Sequence, residues 1–568
     1  MSNTSAPSVG EGAALGAPKA LVLGLQHMFA MFGATVTVPL LTGLDVGTTL
    51  LCAGAGTLLF HLITGGRVPA FLGSSFAFLA GYWAVTGLAG TKGLEEMTAA
   101  QLLPYACFGV ACAGLLYLVL AGLIRAFGIK RVMRCFPPIV TGPIIIAIGL
   151  CLAHVAVDNC SSPIMHKSIQ AGWSADDKAP SLPPDCAGVL AVESFRDYAN
   201  AALSFSDEEK NSVTDQVFVA PLKEAGALPE CPTAKDGTIM VDLAKGTNLF
   251  AVFLKPIDPS ETERKPLDLS KVNSTVTWTA PSSPWIFALT ALLVVVVCNI
   301  WGRGMIRILP ILIGLIAAYA VACAFGVVDF AGVAKADWIG FPIQRESTIL
   351  GVSFAKKGLL LSAVIAIVPI ALATIMEHIG DICAISSTVG KDFLKDPGLH
   401  RTLTGDGLAT TFASVLGGPA NTTYGENTGV LALSRVFDPI VIRIAAVFAI
   451  LLSFCPKFAA VIASIPGPIV GGVSFVLYGM ISAVGIRNLV ENKIDFSKGR
   501  NLIIAAVILV TALGGVTLPI CIGKFQAALT PLALASLLGI VLNAIFPAGD
   551  YAARAKDDEP PKGNTFEV

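Results

Sequence analysis

The chain has 568 residues, of which 54% are hydrophobic and only 14% charged, where a soluble domain carries roughly a quarter of its residues as charges. With a mean hydropathy of +0.74, this is the composition of a polytopic membrane protein. A net charge of −1 and the lack of any nucleic-acid-binding motif give no reason to expect a DNA or RNA partner.

The first residues, MSNTSAPSVGEGAALGAPKA, lack the basic start and apolar core of a cleaved signal peptide, so the first apolar segment reads as a retained anchor. A helix needs roughly 17 to 25 apolar residues to span a bilayer, and about fourteen candidate segments follow one another. They begin near Ala20, Val46, Val68, Gln101, Phe136, Pro284, Met305, Gly358, Thr402, Thr423, Pro439, Pro466, Leu502 and Ala527. The expected organisation is an N-terminal tail (1–19), segments one to five (20–157), a polar insert (158–283), segments six and seven (284–350), segments eight to fourteen (351–548) and a C-terminal tail (549–568). The fold class is all-α.

Basic residues cluster after even-numbered segments: Arg125 to Arg134, Arg303 and Arg307, Lys391 to Arg401, and Arg487 to Arg500. By the positive-inside rule both termini are then cytoplasmic and the insert faces outside, on a multi-pass protein expected in the plasma membrane. In the insert, acids outnumber bases 18 to 11. It shows no sustained apolar periodicity and reads as a tolerated loop insertion, with a recognition or gating role as the alternative. Asn159 and Asn273 start N-x-S/T sequons. Of the 13 cysteines, none has CxxC or Cys/His spacing, so neither a metal nor a redox site is expected and no cofactor is implied. Cys160, Cys186 and Cys231 belong to the insert, where a disulfide is open to them, with the pairing not readable from sequence.

"FPPIVTGPIIIAIGL" from Phe136 resembles "IPGPIVGGVSFVLYGM" from Ile465. If these are the fifth and twelfth segments, the chain is two sevenfold halves, the second inverted because each half holds an odd number of spans. Inverted repeats are a transporter architecture with broken helices at the midplane. Two segments at corresponding places are broken in this way: "VPAFLGSSFAF" (Val68 to Phe78), the third, and "GGPANTTYGEN" (Gly417 to Asn427), the tenth. Pro and Gly before a Ser or Thr pair stop a helix and leave backbone N–H groups to donate to a ligand carbonyl, with the positive end of any half-helix behind them.

Carboxylates are the sharper signal. Glu377 and Asp381 lie four apart in the apolar eighth segment, hence on one helical face, and Glu426 follows the break in the tenth. An ionisable group inside a membrane helix is expensive and by default functional, and no Lys or Arg shares these segment interiors to make it a structural ion pair. Carboxylates accepting from ring N–H groups, beside backbone amides donating to ring C=O groups, suit a small neutral heterocycle and suit an anion badly. A carboxyl cluster also suits coupling to protons, and sodium would fit the same groups. His378 points about 100° away from Glu377 on its helix and reads as a packed or interhelical histidine, with a direct role as the alternative; His27, His61 and His154 read as structural or as supports behind the site. No nucleophile, base and orienter set is present, so an enzyme is not expected.

These stretches, with "LQHMFAMFGATVTVPLLTG", "EHIGD", "KDFLKDPGLHRTLTGDGLAT" and "NTTYGENTGVLALSR", resemble the nucleobase cation symporter-2, or nucleobase-ascorbate transporter, family, and within it the uracil permease branch. The resemblance covers the chain except the insert and tails. It implies fourteen spans in two inverted repeats, with segments one to four and eight to eleven as a core and the others as a gate that dimerises. It also implies that Glu377 and Glu426 bind a pyrimidine, that the amides of Phe76 and Gly425 meet its carbonyls, and that Ala34, Tyr424 and Tyr478 line the pocket. Proton coupling then falls to Asp381 with Glu377 and Glu426. The implied function is proton-coupled symport of uracil or a close pyrimidine, with a purine (xanthine or uric acid) or mixed nucleobase symporter as the alternative. The purine alternative rests on Asp381, which stands where uracil permeases typically carry histidine, whereas Glu426-Asn427 is uracil-type. Expected partners are the nucleobase, the proton, membrane lipid and a second copy of the chain.

Overall fold

The computed structural model describes residues 16–89, 97–162, 283–522 and 525–547, six strands of the insert, and isolated residues 91, 94 and 214. The first segment, Ala17–Thr42, starts with a proline in its first turn and stops at Gly43, whose φ of +80° lets its N–H return to the Pro39 carbonyl. Asp45 then caps the second segment, Val46–Ile63, by accepting from the Thr48 N–H at 2.6 Å. The fourth, Ala99–Phe127, opens on a capping box made by Thr98 and Gln101.

Among the described residues, seven helices are long and apolar enough to cross a membrane, or eight if the bent pair Pro439–Ser453 and Pro456–Ala463 is one span. Shorter apolar helices fill in the rest of the sequence-based segments, including Phe76–Thr86, Pro310–Ala324, Gly499–Leu513 and Pro531–Ile545. Two starts differ from the sequence reading. Met305–Ile308 is a separate short helix, so the seventh segment begins at Pro310. Phe525–Leu529 is a strand paired with Leu518–Ile522, so the fourteenth begins at Pro531. In both cases the apolar run continues through a change of backbone that only a proline marks.

The inverted repeat is visible in what packs on what. The second segment packs on the eleventh (Pro439–Ser453) as the ninth (Leu399–Val415) packs on the fourth. The first packs on the eleventh as the eighth (Lys357–Val389) packs on the fourth, and the sixth (Pro284–Trp301) on the twelfth (Gly467–Glu491) as the thirteenth packs on the fifth. The pairs second with ninth, fifth with twelfth and third with tenth map onto themselves. Pro137 and Pro466, the matched residues of the repeat seen in sequence, both sit at the N-cap of their helices.

Small residues make these crossings. A Cβ on Gly54 would lie 2.5 Å from the Ala446 carbonyl oxygen, and one on Gly407 would lie 2.7 Å from that of Gly114. Helix backbones are in contact there, the close approach that membrane helices use in place of a hydrophobic drive.

The insert differs from the loop that its sequence suggested. Strands Gly188–Glu193, Thr247–Leu254 and Val217–Pro221 form one antiparallel sheet, and Ile239–Asp242, Asn200–Ser206 and Asn273–Thr279 form another. Alternate residues are buried, as at Leu203 and Phe205, Val217 and Val219, and Ile239 and Val241. Each period-2 run is too short to stand out between long polar connections. Cys186 and Cys231 lie outside the described residues.

Candidate substrate-binding site

The third and tenth segments meet at the centre of the molecule. Each is a three-residue strand followed by a short helix: Leu72–Ser74 leads to Phe76–Phe78 and Leu79–Thr86, and Asn421–Thr423 leads to Gly425–Ser434. The strands pair antiparallel, Leu72 with Thr423, Gly73 with Thr422 and Ser74 with Asn421, and all six residues are buried. Pairing satisfies the extended backbone inside protein, as non-helical chain at membrane depth requires. The register extends outward through the Ser75 N–H to the Ala420 carbonyl at 2.9 Å and the Tyr424 N–H to that of Phe71 at 3.0 Å.

Side chains of the flanking helices lock the crossing in repeat-related ways. Thr57 Oγ1 of the second segment donates to the Leu72 carbonyl (3.2 Å) and accepts from its N–H (2.9 Å), and Thr410 Oγ1 of the ninth donates to the Asn421 carbonyl (2.8 Å). Asn421 Nδ2 in turn donates to the Cys52 carbonyl at 3.0 Å. Both half-helices therefore start at fixed points, and neither start carries a side-chain cap. Each start leaves first-turn N–H groups, and the positive helix end that goes with them, without a capping side chain.

Phe76, Ala34, Tyr424 and Tyr478 belong to one buried apolar cluster. The Phe76 ring meets Tyr478 edge to face, with centroids 5.6 Å apart, so the twelfth segment touches the third at the start of its half-helix. Tyr424 braces three segments. Its hydroxyl donates to the Ser74 carbonyl at 2.9 Å and accepts from Thr35 Oγ1 at 3.3 Å, tying the first, third and tenth segments together. Its ring rests on Gly73, where a Cβ would come within 2.5 Å of Cε2.

Asp381 is brought to the start of the tenth-segment helix. It accepts from Thr423 Oγ1 at 3.0 Å, and its Oδ1 lies 3.5 Å from where a Cβ on Gly425 would stand. Glu377, one turn earlier on the same helix, is half-buried like Asp381, while Gly425 is exposed. Glu426 is the second residue of the half-helix Gly425–Ser434, and its side chain lies outside the described residues.

The sequence reading missed Asp406. It is fully buried in the ninth segment, with its Oδ2 3.1 Å from Nδ1 of His378, which is also fully buried. The same His378 nitrogen lies 3.3 Å from Thr423 Oγ1. A continuous polar path therefore runs from buried Asp406 through His378 and Thr423 to Asp381. The signal was present in "LTGDGLATT", a carboxylate in a membrane segment, the same feature that singled out Glu377. His27, also fully buried, sits 3.4 Å from Asn427 Nδ2, and His61 Nε2 lies 3.0 Å from the Ala70 carbonyl. Both make contacts inside the bundle, whereas His154 is exposed.

Among known proteins, the model of the Permease family matches residues 18–196 and 270–521 of this chain. A uracil permease of Bacillus subtilis (strain 168) is 34% identical over 523 residues, covering 92% of this chain and 91% of that protein. A uracil permease of Bacillus caldolyticus is 34% identical over 533 residues, covering 94% and 93%. The transmembrane domain of the cyanobacterial bicarbonate transporter BicA superposes with a TM-score of 0.51 at 12% identity, over 92% of this chain and 96% of that one, a likeness of fold. The match over most of its length, the uracil permease relatives and the paired broken segments agree: the chain belongs to the Permease family, the nucleobase symporter family that its motifs resemble.

Proposed function

We propose that this protein carries uracil or a closely related pyrimidine across the membrane together with a proton. The observation that supports the reading most is the pairing of Leu72–Ser74 with Asn421–Thr423, which presents two uncapped half-helix starts beside the half-buried carboxylates of the eighth segment. Backbone amides at Phe76 and Gly425 donate to the two ring carbonyls, and Glu377 and Glu426 accept from the ring N–H groups. A neutral ring with alternating donors and acceptors satisfies both sets. An anion would be repelled by the carboxylates. The uracil permease relatives favour a pyrimidine over the purine alternative.

Coupling is assigned to Asp381 with Glu377 and Glu426. A proton taken up from outside neutralises the cluster, allows the substrate to seat, and leaves on the cytoplasmic side. The path through Thr423 to His378 and Asp406 gives Asp381 a buried polar partner that responds to its charge. Movement is that of the core, segments one to four and eight to eleven, against the gate, with two copies joined through their gates in the plasma membrane and both termini cytoplasmic. No covalent chemistry is involved.

The test is uptake of radiolabelled uracil in cells lacking their own permease, at acidic and alkaline external pH, with unlabelled uracil and xanthine as competitors. Acid-favoured uptake blocked by uracil alone is expected. Competition by xanthine would move the assignment to the purine class, and uptake that follows a sodium gradient at constant pH would replace the proton as coupling ion.

A further inference from the structure

Three helix ends converge at one end of the core bundle. The fourth segment finishes with Arg125 in its last turn, the ninth begins with His400 and Arg401 in its first, and the second ends at Leu62 and Ile63. Between them is an open groove of about 480 Å³ lined by Arg125, His400, Arg401, Thr404, Leu62 and Ile63. It follows from the helix crossing already described. Gly114 and Gly407 bring the fourth and ninth backbones into contact, and Arg125 and His400 project from the same faces of those helices, eleven residues after Gly114 and seven before Gly407.

The nearby charges divide into two sets. Arg67 is paired with Asp396, and Lys395 lies 3.3 Å from Asp392. Arg125 and Arg401 have no carboxylate partner among the described residues. The ends of the second and fourth helices bring negative dipole ends to the same place as the positive start of the ninth, so the attraction for an anion comes from the two guanidiniums. On the other wall Leu62 is left 78% exposed. Two unpaired guanidiniums beside an exposed aliphatic side chain, at the end of a membrane helix, match a molecule with an anionic head and an apolar tail.

We propose that this groove binds the phosphate headgroup of an anionic phospholipid, with Arg125 and Arg401 on the phosphate and the first methylenes against Leu62 and Ile63. Basic pockets between membrane helices on the cytoplasmic side recognise such headgroups, and the loop that carries Lys391 to Arg401 is among those whose basic residues assign that side. The site lies away from the paired strands and does not depend on which substrate they hold.

The experiment is native mass spectrometry of the purified full chain titrated with phosphatidylglycerol or with phosphatidylcholine of the same acyl chains. Wild type should retain phosphatidylglycerol in preference. Arg125→Gln and Arg401→Gln should each weaken that retention about fivefold, and the double variant about 25-fold, with phosphatidylcholine unaffected. Arg307→Gln, which removes an exposed charge elsewhere, should leave it unchanged, and either single variant carries the test if the double one cannot be purified. Equal retention of the two lipids by wild type would overturn the proposal, as would variants that hold phosphatidylglycerol like wild type. Displacement of the lipid by millimolar inorganic phosphate would mean a soluble-phosphate site instead.

Discussion

Two glycines of the broken segments separate what holds the fold from what the proposed function assigns to substrate binding. At Gly73 an added methyl would stand 2.5 and 2.6 Å from Tyr424 Cε2 and Cζ and 2.9 Å from Thr35 Oγ1. Carbon atoms need roughly 3.5 to 4.0 Å, so Gly73→Ala has to displace the Tyr424 ring by about 1 Å. That movement breaks the hydroxyl's bonds to the Ser74 carbonyl and from Thr35. Two buried hydrogen bonds at about 1 kcal/mol each, added to about 1 to 3 kcal/mol of overpacking, give about 3 to 5 kcal/mol of destabilisation. At Gly425 the added methyl meets, among the described residues, only Asp381 Oδ1, at 3.5 Å, an ordinary contact.

Gly425→Ala should therefore fold as well as wild type. Its methyl nevertheless stands between the half-helix start and Asp381. Losing one hydrogen bond to the substrate would weaken uptake about tenfold or more. Thermal unfolding followed by size-exclusion chromatography, with uracil uptake on the same preparations, reads both effects. Gly73→Ala should lower the apparent Tm by about 5 °C or more and Gly425→Ala should not. A Gly73→Ala protein as stable as wild type would refute the wedge between Tyr424 and the third segment, and unaltered uptake by Gly425→Ala would refute the half-helix start as a substrate donor.

Replacing Glu426 by Gln converts one acceptor to a donor and should abolish uracil binding; undiminished uptake would remove Glu426 from the site. Asp381→Asn should leave substrate recognition measurable while making uptake insensitive to external pH, and a retained pH profile would exclude Asp381 as the coupling group. Asp406→Asn keeps the shape of the side chain but replaces the carboxyl beside buried His378 with an amide. Uptake should fall at least tenfold, about the cost of one hydrogen bond to a charged group, with normal yield of folded protein, and wild-type uptake would make the buried pair dispensable. Deleting residues 163–282 in favour of a flexible linker, so that the fifth-segment helix Ala153–Ser161 stays whole, should preserve uptake; loss of uptake by a well-folded deletion variant would show that the strands of the insert take part in transport.

Much of this arrangement was legible along the chain because the membrane makes local rules strict. An ionisable group in an apolar segment is costly wherever it lies, so Glu377, Asp381 and Glu426 stood out without any knowledge of their neighbours. Proline and glycine break helices through their own backbone chemistry, so the third and tenth segments were recognisable as interrupted, and the matched prolines at 137 and 466 marked equivalent helix starts. The strands of the insert were less visible, because alternation over four to eight residues between polar connections resembles chance.

What only the tertiary structure decided is which distant groups share a space. The bond from Tyr424 to the Ser74 carbonyl joins residues 350 positions apart, and that from Asn421 to the Cys52 carbonyl spans 369. No local pattern encodes such pairings; they follow from folding two inverted halves around a common axis. The same folding made Tyr424 a cross-brace, put Asp381 at the start of a half-helix in the next segment but one, and placed Asp406 against His378. Residue type and backbone chemistry are properties of a short stretch and survive in the sequence, whereas the register of helices packed through glycine contacts is a property of the whole bundle.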